Sequence, residues 1–188
     1  MKSICIIRHG ESLSQINKTV CGINPDLSEA GEAQSISLRE MMKKMSPSLV
    51  LLSPLRRAYR TFILSELVCD RVEFDGRLLE GEWEEAPNYP ETIYDGISKV
   101  APIKNLKWHQ EDFDTRVSNL VSEMRASDVE SLLIFSHSGT INLILKKLLN
   151  VEPHGETSFQ VENASLTKLE LNGNSTLMTK FNERSHLR

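Results

Sequence analysis

The chain has 188 residues, 26% of them charged, and a formal net charge of −4 at pH 7. A mildly acidic chain without a basic stripe argues against nucleic-acid binding. The 39% share of hydrophobic residues, with 9 Gly and 7 Pro, is typical of a soluble globular domain rather than a collagenous or disordered chain. We therefore expect a single domain over residues 1–188.

The sequence shows no sign of a membrane segment or a cleavable leader. No apolar run approaches the roughly 18 residues needed to cross a bilayer, and the first residues run directly into a strand-like segment. We expect no membrane partner and a cytoplasmic location. Three cysteines, an odd number without CxxC spacing, predict neither a disulfide framework nor a zinc knuckle; they are Cys5, Cys21 and Cys69.

In chain order, the first predicted strand is Ser3–Ile7, a short apolar run that ends at a charged loop. A helix is predicted from Ser28, which can cap it, to just before Pro47. Its apolar side recurs at helical spacing through Leu38, Met41, Met42 and Met45. Leu49–Leu52 is a second strand, after which Ser53 and Pro54 predict an N-cap and the first residue of another helix.

The same order of strand, polar loop and helix recurs near the end of the chain. Leu132–Phe135 predicts a strand, and the loop after it leads into a helix with apolar spacing at Ile141, Ile144, Leu145 and Leu148. Leu166–Leu171 and Thr176–Phe181 flank Asn172-Gly173-Asn174-Ser175, which predicts a β-hairpin. Between these regions, residues 82–110 hold prolines and aromatics without clear periodicity, which we interpret as a lid-like excursion.

Strands that alternate with helices predict an α/β fold, here a three-layer α/β/α sandwich around a mostly parallel sheet. Ligands of such sheets bind outside the carboxyl ends of the strands. Four basic side chains are expected to converge at that edge: Arg8, His9, Arg57 and His137. Guanidinium forks match phosphate oxygens, and two arginines would repel a divalent cation, so the sequence predicts an anion pocket and no metal.

A neutral imidazole beside a bound phosphate can attack it and form a covalent phosphoryl intermediate. Neighbouring arginines are expected to keep His9 neutral by lowering its pKa. The segment Arg8-His9-Gly10-Glu11-Ser12 resembles the signature of the histidine phosphatase superfamily, which includes phosphoglycerate mutases. The resemblance extends through most of the chain, in three further stretches: Asn24-Pro25-Asp26-Leu27-Ser28-Glu29-Ala30-Gly31, Ser53-Pro54-Leu55-Arg56-Arg57-Ala58 with Thr61, and Ser136-His137-Ser138-Gly139.

This resemblance implies a phosphoglycerate mutase-like fold and a role for each matching residue. His9 would be the phosphorylated nucleophile, with Arg8, Arg57 and His137 holding the transferred phosphoryl group. Ser138 would also contact phosphate, as would Gln15, which stands where equal spacing places an asparagine in the family. The family's acid follows an Arg-Leu-any-Glu pattern, which is matched here by Glu80, with Glu82 and Glu84 as alternatives.

The resulting functional hypothesis is a phosphatase that acts on a small phosphate monoester, needs no cofactor and forms a phosphohistidine. A phosphoglycerate mutase, a protein phosphohistidine phosphatase and a non-catalytic phosphate-binding regulatory module remain alternatives. The shortness of the chain and its acidic excursion favour hydrolysis over mutase activity. A small phosphorylated substrate is the expected partner, and the sequence leaves a homodimer open.

Overall fold

The structure is a computed structural model, and it describes residues 1–17, 24–81, 111–152 and 155–187. Within these ranges the strands, in chain order, are β1 Lys2–Arg8, β2 Leu49–Leu52, β3 Val72–Phe74, β4 Ser131–Ser136, β5 Leu166–Asn172 and β6 Ser175–Glu183. The α-helices are α1 Leu13–Ile16, α2 Glu29–Ser37, α3 Arg39–Met42, α4 Arg56–Leu64, α5 Phe113–Ala126 and α6 Ser138–Leu148. Short 3₁₀ turns cover Gly76–Leu78 and Ser185–Leu187.

The six strands form one sheet in the order β3-β2-β4-β1-β5-β6. The first four strands of that order run parallel to one another. β5 runs antiparallel to β1, and β6 runs antiparallel to β5. The sheet is therefore mostly parallel, as predicted, and the antiparallel part is the C-terminal hairpin, whose turn contains Gly173 in a left-handed conformation with φ of 58°.

Alternation along the buried strands places apolar side chains on both faces of the sheet. In β1, Ile4 and Ile6 pack against α5 and α6 on one face, whereas Cys5 and Ile7 lie on the other with α4 and the α2–α3 region. Because neighbouring residues of a strand point to opposite faces, one short apolar run serves two cores. The chain is thus the predicted three-layer α/β/α sandwich.

The predicted helix after Ser28 is present, but it is interrupted. The Ser28 hydroxyl caps α2 by accepting from the Gly31 N–H at 3.0 Å. At Leu38 the backbone tightens and its N–H donates to the Ser35 carbonyl, three residues back, at 3.2 Å. The chain stays right-handed through this turn, so α3 continues with Leu38 and Met42 fully buried.

The prediction that Ser53 caps the next helix is wrong. α4 begins at Arg56, and the side chain of the preceding Leu55 forms no capping hydrogen bond. Asn24, from another part of the chain, accepts from the Arg56 N–H through Oδ1 at 2.7 Å. The Ser53 hydroxyl instead lies 2.7 Å from a ring nitrogen of His137.

The structure adds three named elements to those that the sequence predicted: α1, β3 and α5. Two of them pack on elements that were predicted, because β3 pairs with β2, and α5 packs against α6. The proposed lid-like excursion at 82–110 lies outside the described residues. Among the described helices, none combines the length and the apolar character that a membrane span requires.

Candidate active site

The two histidines come together because β1 and β4 are parallel neighbours in register. Arg8 pairs with Ser136, and the residue after each of them is a histidine. The His9 N–H donates to the Ser136 carbonyl at 3.0 Å, and the ring centroids of His9 and His137 are 5.1 Å apart. Both rings are almost completely buried at the carboxyl edge of the sheet, where the sequence predicts the pocket.

Hydrogen bonding gives the two ring nitrogens of His9 different roles. Nδ1 lies 2.6 Å from the Gly10 carbonyl oxygen, which can only accept, so Nδ1 carries the proton. Nε2 accepts from Arg57 Nε at 3.3 Å. Burial lowers the pKa of His9 well below its usual range, and the nearby charge of Arg57 lowers it further. The ring is therefore neutral, although burial contributes more to this than the predicted effect of the arginines.

Arg57 connects His9 with Glu80. It is the second residue of α4 and is 7% exposed. While Nε faces His9, Nη2 donates to Glu80 Oε2 at 3.2 Å. Thr61, one turn later on α4, accepts from the Gly10 N–H at 3.0 Å and donates to the Arg57 carbonyl at 2.7 Å, which fastens this helix to the His9 loop.

Glu80 reaches the same cleft from the segment after the Gly76–Leu78 turn. Its Oε1 accepts from the Gly139 N–H at 3.2 Å, in the first turn of α6, and its Oε2 lies 3.9 Å from His137 Nδ1. The side chain is 36% exposed, so it faces both the buried histidines and solvent. The alternative acids Glu82 and Glu84 lie outside the described residues.

His137 lies immediately before α6, at the positive end of the helix dipole. Its Nε2 is 2.7 Å from the Ser53 hydroxyl. Burial lowers the pKa of His137 well below its usual range, with added effects from Arg57 and His9. Ser138 follows as the first residue of α6, so its backbone lies at a helix end suited to an anion.

The hydrogen bonds described for Arg8 and Gln15 go to residues other than His9, Arg57, Glu80 and His137. Arg8 Nη1 donates to the Val161 carbonyl at 2.6 Å, and burial lowers the pKa of this guanidinium while the Glu80 charge opposes that effect. The exposed Gln15 side chain pairs with that of Asn163, its Nε2 donating at 3.0 Å and its Oε1 accepting at 3.1 Å. Asn163 also donates to the His9 carbonyl at 3.0 Å, so in this state Gln15 supports the His9 loop through Asn163.

Four residues around the site were missed or misassigned from the sequence: Ser53, Thr61, Arg116 and Asn163. Thr61 belonged to a recognised stretch but received no role. Arg116 lies in α5, whose apolar residues Val117, Leu120, Val121 and Met124 show a helical spacing that could have revealed the helix. Asn163 follows no pattern that links it to His9.

His9, Glu80 and His137 also have the residue types of a metal site, with one ligand atom from each lying within 4.8 Å of the others. Two of these candidate ligands already bind a cation, because Arg57 donates to His9 Nε2 and to Glu80 Oε2. A divalent ion there would face the guanidinium at close range. The donor set fits an anion better, and the absence of a metal remains a prediction.

Paired histidines and arginines at the carboxyl edge of an α/β sheet are suited to binding a phosphoryl group and accepting it on an imidazole. The sequence model of the histidine phosphatase superfamily (branch 1) matches residues 4–184. The chain belongs to this family, which confirms the expectation from its motifs.

Proteins similar to this chain are named for several different phosphatase activities. A glucosyl-3-phosphoglycerate phosphatase from Mycobacterium tuberculosis is 27% identical over 80% of this chain and 76% of the relative. An adenosylcobalamin/alpha-ribazole phosphatase from Salmonella typhimurium is 25% identical over 96% of each chain. The crystal structure of a phosphoserine phosphatase mutant from Entamoeba histolytica in complex with phosphoserine has the same fold, with a TM-score of 0.71 and 20% identity over all of both chains.

Proposed function

We propose that this chain is a phosphatase that hydrolyses a small phosphate monoester through a phosphohistidine on His9. The observation that carries the proposal is the continuous contact from His9 through Arg57 to Glu80, with His137 beside His9 and Glu80. This arrangement supports roles for His9 as nucleophile, Arg57 as anion-binding group and Glu80 as acid around a single phosphoryl group.

His9 is suited to be the nucleophile because its Nε2 keeps a lone pair. Nδ1–H is held by the Gly10 carbonyl, and the low pKa of the ring keeps Nε2 unprotonated at neutral pH. Attack of Nε2 on phosphorus forms the N–P bond and breaks the bond between phosphorus and the ester oxygen. The Arg57 guanidinium stabilises the negative charge of the transferring phosphoryl group, together with Arg8, His137 and the N-terminal end of α6.

Glu80 serves as the acid and then as the base. A protonated Glu80 donates its proton to the departing ester oxygen, which leaves as the alcohol. The carboxylate then takes a proton from water as the water oxygen attacks phosphorus, and the N–P bond breaks to restore neutral His9. Proton transfer of this kind is worth about 10² to 10⁴ in rate.

The substrate class is a small phosphorylated metabolite. The three relatives described above are named for phosphoserine, glucosyl-3-phosphoglycerate and alpha-ribazole phosphate chemistry, all of them small phosphate esters. Their identities to this chain are 20–27%, so they support the shared phosphate chemistry and do not select one alcohol.

The test is release of inorganic phosphate from a panel of phosphorylated metabolites, with 3-phosphoglycerate isomerisation followed in parallel. Rapid acid-free quenching with a radiolabelled substrate is expected to trap label on the wild-type protein and none on His9→Ala. Arg57→Met is expected to lower kcat/KM about 10³-fold or more.

Arg56→Met is the matched control. This neighbouring arginine on α4 is half-exposed, and its nearest described carboxylate is Asp26 at 4.0 Å. The Arg56→Met variant is expected to retain the wild-type kcat/KM and to trap the radiolabel as the wild type does. Isomerisation without phosphate release would identify a mutase instead, and phosphate binding without label or release would identify a binding module.

A further inference from the structure

Arg116 on α5 binds the backbone on both sides of Glu80. Its Nη2 donates to the Leu79 carbonyl at 2.8 Å and also to the Gly81 carbonyl. The side chain is among the largest fully buried ones in the described chain, with 1% exposure. No sequence motif of the site included this residue, and it contacts neither histidine in any described hydrogen bond.

We propose that Arg116 is a positioning residue that holds Glu80 where it can protonate the leaving group; the proposal rests on the phosphatase function proposed above. A residue in an irregular segment has little to fix its backbone except such contacts. One guanidinium binds the Leu79 carbonyl, in the peptide group just before Glu80, and the Gly81 carbonyl, which lies one residue beyond Glu80. It therefore ties the backbone on both sides of Glu80, which limits where its carboxyl group can point.

The surroundings of Arg116 support this role. The Thr140 hydroxyl donates to the same Leu79 carbonyl at 2.9 Å, so Leu79 is held from two helices. Gly81 has a φ of 67°, a left-handed conformation that glycine adopts without strain and that turns the chain immediately after Glu80. The Arg116 guanidinium also lies 4.7 Å from the centre of the Phe113 ring, one turn earlier on α5, a contact that favours its orientation.

The cost of burying Arg116 also points to a specific role. An arginine that is nine-tenths or more buried loses most of its hydration, which is unfavourable unless charge-assisted hydrogen bonds replace it. The carbonyls of Leu79 and Gly81 provide such bonds. Burial lowers the pKa of His137, and the Arg116 charge adds to this lowering after the charges of Arg57, His9 and Arg8.

A series of aryl phosphates distinguishes positioning of the acid from general support of the fold. The 4-nitrophenyl group leaves as a stable anion and needs little protonation, whereas the more basic phenolate of phenyl phosphate depends on the acid. Loss of acid catalysis therefore makes kcat/KM fall more steeply as the leaving group becomes more basic. A purely structural loss lowers kcat/KM equally for every member, since kcat/KM reports transition-state stabilisation from free enzyme and substrate.

The experiment measures kcat/KM for 4-nitrophenyl, 4-chlorophenyl and phenyl phosphate. Arg116→Met is expected to lower kcat/KM about 10-fold or more for phenyl phosphate and less than about 3-fold for 4-nitrophenyl phosphate. Glu80→Gln is expected to show the same pattern with larger losses. Arg116→Lys keeps the charge with a different donor geometry and is expected to lie between wild type and Arg116→Met.

The matched control is Arg125→Met. Arg125 lies on the same helix, about 13 Å further along its axis, and also donates to a carbonyl, that of Leu148, at 2.9 Å. It is expected to leave the dependence on the leaving group unchanged. An equal loss on all three esters for Arg116→Met and Arg116→Lys would overturn the positioning role.

A double variant completes the test. If Arg116 acts through Glu80, adding Arg116→Met to Glu80→Gln will not steepen the leaving-group dependence further, because the acid is already absent. Further steepening would overturn the proposal. Failure of the phosphatase proposal itself has a different signature, since the wild type would then release phosphate from none of the esters.

Discussion

The two buried imidazoles predict how the stability of the fold depends on pH. Burial lowers the pKa of both His9 and His137 well below the usual range. An unfolded chain exposes these rings, which then titrate near pH 6.5. Below that pH the unfolded chain binds two protons that the native chain does not, so the free energy of unfolding falls as the pH falls.

The size of the effect follows from the number of protons. Each ring contributes up to about 1.4 kcal/mol per pH unit, and the two together up to about 2.7 kcal/mol, at pH values about one unit or more below 6.5 and above their native pKa values. Above about pH 7.5 both rings are neutral in both states and contribute no slope. Activity is expected to persist below pH 6.5, since His9, the proposed nucleophile, stays unprotonated there, until the fold itself is lost.

Urea unfolding at a series of pH values from 5.5 to 7.5 measures this slope. Between pH 7.5 and pH 5.5, each ring is expected to lower the free energy of unfolding of the wild type by about 1.4 kcal/mol in total. His9→Asn and His137→Asn each remove one such contribution, and the double variant removes both. Carboxylates that titrate at lower pH are common to all these proteins and cancel in the difference. Curves for wild type and double variant that run parallel across this range would refute the claim that both rings are neutral when folded.

Two further changes test contacts around the site. Ser53→Ala leaves the buried His137 Nε2 without its partner at 2.7 Å, so we expect a loss of about 1–3 kcal/mol in the free energy of unfolding; an unchanged value would show that this contact is not a hydrogen bond in solution. Gly31→Ala would place a Cβ 1.9 Å from the Glu11 carbonyl oxygen and is expected to cost at least about 2 kcal/mol. Gly139→Ala, whose Cβ would be 3.7 Å from Glu80 Oε1, is expected to stay within about 1 kcal/mol of wild type, and equal losses for the two glycines would contradict the packing described.

The sheet was predictable from the sequence because its strands are short apolar runs with clear ends. β2 has the predicted bounds, Leu49–Leu52, and β1 extends the predicted run by one residue at each end. The convergence of His9 and His137 followed from the rule that parallel strands bring their carboxyl ends to one edge. β3 has only three residues, too few for periodicity to reveal.

The role of Ser53 shows where local pattern fails. Serine followed by proline fits the start of a helix in any isolated sequence. In the folded chain, Asn24 satisfies the Arg56 N–H at the start of α4. The Ser53 hydroxyl accepts from the Leu55 N–H at 3.4 Å and lies 2.7 Å from His137 Nε2. The choice between these partners depends on distances between segments that are remote along the chain, which no local rule contains.

Arg116 shows a second limit. The apolar spacing of α5 was present in the sequence, yet it describes the face of the helix that packs in the core and gives no role to a charged residue among the apolar ones. Arg116 is buried because the carbonyls of Leu79 and Gly81 lie opposite it. A charged residue at a core position indicates a role from sequence only when its partner can be identified from the sequence. The partners described here are backbone carbonyls, which every residue has, so the residue types do not reveal them.

Glu80 already occupies two donors of the kind that a phosphoryl oxygen would use, Arg57 Nη2 and the Gly139 N–H. A phosphate that binds the same donors meets the carboxylate at close range, and two unit charges about 4 Å apart repel by about 4 kcal/mol at the effective dielectric of a partly exposed site. A proton on Glu80 removes that repulsion and is also what the first step needs. In the proposed mechanism, the contact with Arg57 therefore links the binding of phosphate to the protonation of Glu80 that the first step requires.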